Sequence, residues 1–439
     1  MERSIHRHLI SWKNAPRRKV LLLRGARQVG KTWSARYLGS HFEHFLEINF
    51  ELDKKVHDFF EQSLDPNDLC LNLSAYYNIP IENGKTLLFF DEIQSCIPAI
   101  SSLRFFYEKR PGLHLIAAGS LLEFALEELP SYGLGRIESI WMYPMSFDEF
   151  LLAKGEEQLL QLKGNANPDK PLNKVFHEKL IVLFRQFLLL GGLPEVIQTF
   201  IDAHDFGPAI KVIHQLIDGL DDDFAKYKKR VPVSRLRTIF DSIANQAGSK
   251  FNLSKSSKEA NHGQIKEAIT LLTQAGLVYK VQHTAANGFP LGAEINPKKF
   301  KLLMFDHGIF QQILGLNVSE LLLPSDYAGI FRGALAELFV GLEIIKYQTP
   351  FSRPHLYYWH RDKRGSQAEV DYLLQIKNQI CPLEVKSGTQ GKMQSLHLFL
   401  KEKQRTLGLR SSLENFAQYQ QIDVIPLYAI SHLFTNENS

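Results

Sequence analysis

Cysteine is scarce: the 439 residues hold only three, Cys70, Cys96 and Cys381, odd in number and far apart. That set supplies neither a disulfide framework nor a zinc site, and a reducing cytoplasm is the expected setting. Long hydrophobic runs are lacking as well. The most apolar late stretch, LIVLFRQFLLLGGLP, is interrupted by Arg185 and Gln186 and ended by Gly191, Gly192 and Pro194. It is too short and broken to span a bilayer, and no membrane partner is expected. The basic start, MERSIHRHLISWKNAPRRKV, has neither the apolar run nor the small-residue cleavage site of a secretory leader. Excess charge of one sign is small, a formal net +4, which admits a nucleic-acid partner but leaves that case to local patches. Repeats and low-complexity segments are absent, and the composition is that of a globular protein.

A chain of this length exceeds one ordinary core, so several domains are expected. Over residues 1–150, short continuous apolar runs alternate with helix-like stretches: VLLLRG, HFLEINFE, TLLFFDE, LHLIAAGS and IESIWMYP. Continuous rather than alternating apolar strands indicate an α/β layer with a parallel sheet covered on both faces. Residues 151–230 read as a helical lid subdomain. Residues 231–290 run helix, short helix, longer helix and strand, the order of a winged helix-turn-helix. Residues 291–439 begin with a connecting element, KLLMFDHGIFQQILG. The amphipathic helix GALAELFVGLEIIKY follows, and then three strands, HLYYWHR, AEVDYLLQ and ICPLEVKSG, joined by the turn-rich DKRGSQ and KNQ.

The loop Gly25, Ala26, Arg27, Gln28, Val29, Gly30, Lys31, Thr32, with Trp33 after it, matches GxxxxGK(S/T) at every fixed position. Its backbone N–H groups can cradle phosphate, Lys31 can reach the β/γ oxygens of ATP, and Thr32 can hold Mg2+. A buried strand before it and a helix after it complete the context. The apolar strand TLLFFDEIQ ends in Asp91 and Glu92, the first placed to orient Mg2+ and the second to polarise the attacking water. Ser120, at the end of the next buried strand, either senses the γ-phosphate or caps the following helix. Arg136 either stabilises charge at its own or a neighbouring subunit's nucleotide, or is a surface ion-pair residue.

Together LRGARQVGKT, LLFFDEIQ, AAGSLLEF, GLGRI and YPMSFDEF resemble the AAA-type P-loop ATPases commonly paired with a carboxy-terminal domain of the family called DUF4143, and GGLPEV continues the likeness. The resemblance implies ATP binding in an AAA+ or STAND-like core with an attached winged helix. It also allows a homo-oligomer. The family usually has Pro where Ala26 stands and often a smaller residue at Trp33, but neither change removes a phosphate contact.

Asp371 falls on AEVDYLL, while Glu384 and Lys386 lie two apart on the next stretch, which puts carboxylate and ammonium on one face of a strand. If the strands form a hairpin, Asp371 and Glu384 can share a divalent cation while Lys386 orients water, the equipment for phosphodiester hydrolysis. Glu337 can add a carboxylate from the preceding helix. The order Glu, Asp, ExK resembles the PD-(D/E)XK core, a restriction-endonuclease-like fold, and YYWHRDKRGSQAEVDYLL with CPLEVKSG looks like DUF4143. Glu369 rivals Asp371 by position, and the resemblance selects Asp371.

In the winged-helix segment, Gln264, Lys266 and Thr270 lie on the recognition-type helix and six basic residues crowd AKYKKRVPVSRLR. These fit salt-sensitive DNA binding, or a solvated face on a lever for another protein. Two functions follow. The first is an ATPase that couples Mg2+-dependent hydrolysis to DNA binding or processing. The second is a nucleotide-dependent switch or scaffold whose nuclease-like domain is catalytically silent and binds a partner.

Overall fold

A computed structural model describes residues 1–128, 135–226, 231–316, 329–361, 368–376, 378–389 and 391–434. The turn DKRGSQ, Lys377 of the second turn, and Tyr227 to Arg230 of the basic stretch lie outside the described residues. The chain divides into two compact units. The first is Met1–Pro144 with the returning segments Gln274–Gly276 and Thr349–Arg353, and the second is the remainder.

The first unit is built on five parallel strands, β1 (Val20–Arg24), β2 (His44–Asn49), β3 (Thr86–Asp91), β4 (His114–Ala118) and β5 (Ile137–Trp141), in the order β2-β3-β4-β1-β5. All five fall on the continuous apolar runs. β3 and β4 are buried along their whole length, because helices cover both faces of a parallel sheet and no face is left for polar side chains. Leu22, Leu46, Phe90 and Ala117, from four different strands, meet Phe60, Leu73 and Leu103 in one core. This is the sheet expected of a P-loop NTPase. β4 lies between β1 and β3, in register Leu23 to Ala118 and Phe90 to Ala117. The residues that follow these three strands therefore emerge at one sheet edge, where ligands of open α/β sheets bind.

The second unit opens with five helices between Phe147 and Lys226. Ser146 and Glu149 start the first of these with a reciprocal capping box. The buried rings of Phe147, Phe150, Phe184 and Phe187 join the helices, with Phe150 and Phe187 centroids 5.2 Å apart. Helices Val233–Asn245, Leu253–Ser256 and His262–Gln274 follow. They lead into β6 (Val278–Thr284) and β7 (Ile295–Met304), paired antiparallel. The stretch KLLM, expected in a connecting element, is the buried end of β7, and only the next turn forms the helix His307–Ile313.

The long helix Gly329–Tyr347 precedes β8 (Leu356–His360), β9 (Glu369–Ile376) and β10 (Gln379–Val385). Beyond them come helix Gln394–Lys403 and strands β11 (Gly408–Ser412), β12 (Ala417–Tyr419) and β13 (Ile422–Pro426). All eight strands from β6 onward form one mixed sheet, β12-β13-β11-β10-β9-β8-β6-β7. β6 pairs parallel with β8, Val281 to Leu356. The hairpin that follows the three helices is thus built into the C-terminal sheet. No helix of the described residues is long and apolar enough to cross a membrane.

Candidate functional site

The loop after β1 is shaped by backbone no ordinary residue adopts freely. Gly25 has φ of 133°, Gln28 62° and Gly30 95°, so successive N–H groups turn toward one concavity. A Cβ on Gly25 would meet Met142 O at 2.1 Å, which leaves room for glycine alone. Helix Lys31–Gly39 starts directly on Gly30, adding its N-terminal amides to the cradle. Lys31 is 8% exposed, and its Nζ donates to Gly25 O at 2.9 Å and Ala26 O at 2.7 Å. The ammonium therefore lies over the loop that phosphates would enter.

Thr32 Oγ1 donates to Asp91 Oδ2 at 3.3 Å, which joins the loop to the end of β3. Burial, followed by the Glu92 charge, pushes Asp91 up to about 6. A buried carboxylate beside a hydroxyl is a site that gains from a cation, so Thr32 and Asp91 fit Mg2+. Glu92 holds the left-handed φ of 49°, a strained conformation for a side-chain-bearing residue that aims it away from the strand line. Its Oε2 accepts from Gln94 Nε2 at 2.6 Å, Ser120 N at 3.3 Å and Ser120 Oγ at 3.2 Å. Burial works to raise Glu92, but hydrogen bonds from Gln94 and Ser120 and the charges of Lys31 and Arg27 outweigh it and hold the acid below its ordinary value. Ser120 thus holds Glu92 through both its amide and its hydroxyl.

Trp33 is 46% exposed at the start of the loop's helix, stacked on His6 at 5.2 Å and Tyr37 at 5.9 Å. Arg136 is exposed and ion-paired with Glu108. Two contributors carried no signal of their own in the sequence. Arg3 donates to Val29 O and Tyr143 O, both at 2.8 Å, and braces the loop from the N-terminus. Gly276 of the returning segment has φ of 73° and would place a Cβ 3.1 Å from Ala26 N.

In the second unit the hairpin of β9 and β10 is antiparallel, with Leu383 opposite Tyr372. Asp371 Oδ2 accepts from Val385 N at 2.8 Å, and Glu384 Oε1 accepts from Lys386 Nζ at 2.7 Å. Lys386 stands just past the end of β10. Glu337, from helix Gly329–Tyr347, reaches the same cluster, and its partner is Lys301 of β7, at 2.8 Å. Lys301 also contacts Glu369 at 2.5 Å and Asp371 at 3.8 Å. Burial, ahead of the opposing Lys301 charge, pushes Glu337 up to about 7. Burial followed by Asp371 does the same to Glu384. Burial opposes the Lys301 charge, but Glu337, Asp371 and Glu369 outweigh it and hold the ammonium protonated. Glu384 Oε2 is buried without a hydrogen-bond partner. Among the described residues, no group of three or more His, Cys, Asp or Glu side chains is arranged to hold a metal ion. The sequence offered no cue to Lys301, which heads the stretch KLLMFDHGIFQQILG that reads as a connecting element.

On helix His262–Gln274, Gln264 is spent on its own N-terminus, exchanging hydrogen bonds of 3.1 and 3.0 Å with Asn261. Thr270 bonds back to Lys266 O at 2.9 Å. Lys266 stays exposed, and its charge, after burial, lowers Lys280 on β6. Lys250 acts in the same way on Lys299 of β7.

Comparison with family models matches residues 17–151 to an AAA domain, residues 181–320 to a domain of unknown function, DUF8612, and residues 332–430 to a domain of unknown function, DUF4143. Comparison with curated proteins returns no match. Among solved structures, the Walker-type ATPase PABY2304 of Pyrococcus abyssi overlaps with a TM-score of 0.45 at 17% identity, over 70% of this chain and 94% of that one. The ORC1 protein of Aeropyrum pernix, in complex with DNA, overlaps with a TM-score of 0.27 at 12% identity, over 73% and 92%. These overlaps are loose, and no property passes from them to this chain.

Proposed function

From a chain that carries an AAA domain at its N-terminus and a DUF4143 domain at its C-terminus, we propose a cytoplasmic ATPase that hydrolyses ATP with Mg2+ and uses the cycle to control DNA binding. The loop amides of residues 25–30 and Lys31 hold the β/γ-phosphates. Thr32 and Asp91 hold Mg2+, which when bound supplies positive charge to the phosphate oxygens. Glu92 accepts the proton of the attacking water: its hydrogen bonds keep it ionised at neutral pH, as a base must be. Ser120 fixes the Glu92 carboxylate and links its position to whatever fills the site. Trp33 offers a stacking face beside the loop, and Arg136, exposed at the surface, would serve a neighbouring copy's nucleotide in a homo-oligomer.

The observation that carries this reading is the convergence of three strand ends: Lys31 over its loop, Thr32 bonded to Asp91, and Glu92 held by Ser120. The first test is ATP affinity by calorimetry. Lys31→Ala is expected to abolish binding, and unchanged affinity in that variant contradicts the assignment.

DNA binding is supported by the lysines at 250, 266, 280, 298 and 299: burial and then the charge of Lys266 lower Lys280, burial and then the charge of Lys250 lower Lys299, and a phosphate would relieve both. For the nuclease-like C-terminal domain, Glu337, Asp371, Glu384 and Lys386 are the side chains that cutting would require. A specific contact favours the second reading, a silent domain that binds a partner: an ammonium already sits among the carboxylates. The residues as arranged do not fit a divalent metal, and no hydrolytic step is assigned to them.

A further inference from the structure

Four carboxyl groups meet in the second unit, three of them around one buried ammonium. Lys301 is 1% exposed. Its Nζ lies 2.8 Å from Glu337 Oε1, 2.5 Å from Glu369 Oε1 and 3.8 Å from Asp371 Oδ1, with the Tyr358 ring centroid at 5.3 Å. A lysine is buried this deeply only where opposite charge encloses it. The other acidic oxygens are largely spoken for: Asp371 Oδ2 by the Val385 amide and Glu384 Oε1 by Lys386. Glu384 Oε2 remains without a hydrogen bond, and one oxygen makes no ion site. A divalent cation needs about six oxygen ligands at roughly 2.0–2.6 Å. Here the oxygens already face Lys301, and a second cation beside it would meet repulsion in a low-dielectric interior.

We infer that Lys301 is the resident cation of this acidic cluster, standing where a phosphodiesterase would hold its metal, so that the C-terminal domain binds its partner without cutting it. β7 delivers this lysine, which means that the hairpin following the three helices supplies the residue that closes the site. The inference rests on the nuclease-like reading of the C-terminal domain and is independent of ATP hydrolysis, since Lys31 and Asp371 give separate readouts.

The test is calorimetric titration of the full-length, nucleotide-free chain with Mn2+, in wild type, Asp371→Asn, Lys301→Ala and the double variant. Wild type and Asp371→Asn are expected to give the same isotherm. Lys301→Ala is expected to gain a site at least about tenfold tighter, lost again in the double variant. Wild type binding Mn2+ about tenfold tighter than Asp371→Asn overturns the inference, as does a folded Lys301→Ala that gains no site. Should Lys301→Ala be unstable alone, melting with and without Mn2+ reads the same point. Its melting temperature is expected to rise with Mn2+ while that of the double variant does not, and no Mn2+-dependent rise overturns the inference. Failure of Lys31→Ala to lose ATP would leave these results standing.

Discussion

Asp91 combines two roles that conflict. Its folded-state value, pushed up to about 6 from 3.8, means the fold prefers the protonated acid. That contribution is fully present below the ordinary value and is lost as pH rises through about 6, so at pH 7 the ionised side chain is a burden on the empty site. Asp91→Asn is expected to stabilise the nucleotide-free protein at pH 7 by about 1–2 kcal/mol, discounted for solvent screening. The same variant should lose the extra melting temperature that ATP with Mg2+ confers on wild type. Thermal melts at pH 7, with and without nucleotide, check both halves, and an Asp91→Asn protein less stable than wild type when empty would contradict the burial argument. Asp91 and Glu92 were legible in the sequence because they end an unbroken apolar strand, where a carboxylate pair has no packing reason to be. Gln94 and Arg3 were not: a glutamine after the pair and an arginine in a basic N-terminus look like surface residues until the backbone brings them to Glu92 and Val29.

Among elements, the phosphate loop depends on backbone conformation more than on side chains. Gly25→Ala combines a left-handed φ with a Cβ 2.1 Å from Met142 O, and backbone atoms cannot yield as a flexible side chain would. The expected result is a cost of about 1–3 kcal/mol in folding stability, with at least tenfold weaker ATP binding. Denaturant unfolding and calorimetry measure the two, and wild-type values in both would show that the loop tolerates another shape. The five parallel strands were readable because full burial writes a continuous apolar run. The place of β6 and β7 was not. Lys301 heads a stretch that reads as a connecting element, and its burial follows from the long-range pairing of β6 with β8, Val281 to Leu356, which local spacing does not encode. Gln264 and Thr270 bond to their own helix, as polar residues near a helix surface readily do, and local spacing does not encode that choice.

For the whole molecule, the net charge of +4 understates what a partner meets, because Lys250, Lys299, Lys266 and Lys280 act as close like-charge pairs. Binding to duplex or single-stranded DNA should be sequence-tolerant and should weaken linearly on a logarithmic salt scale. Lys250→Glu with Lys299→Glu should flatten that slope by about two phosphate contacts. A slope that does not change places the nucleic-acid surface elsewhere.

ATP turnover depends on Glu92. Phosphate release in excess ATP with Mg2+, measured for wild type and Glu92→Gln alongside their ATP affinities, tests it most directly. Wild type should hydrolyse ATP, and Glu92→Gln should bind ATP as tightly while turning over at least about a hundredfold more slowly. A Glu92→Gln variant that hydrolyses ATP at the wild-type rate would contradict the role of the strand-end acid and, with it, the chemistry assigned to the loop.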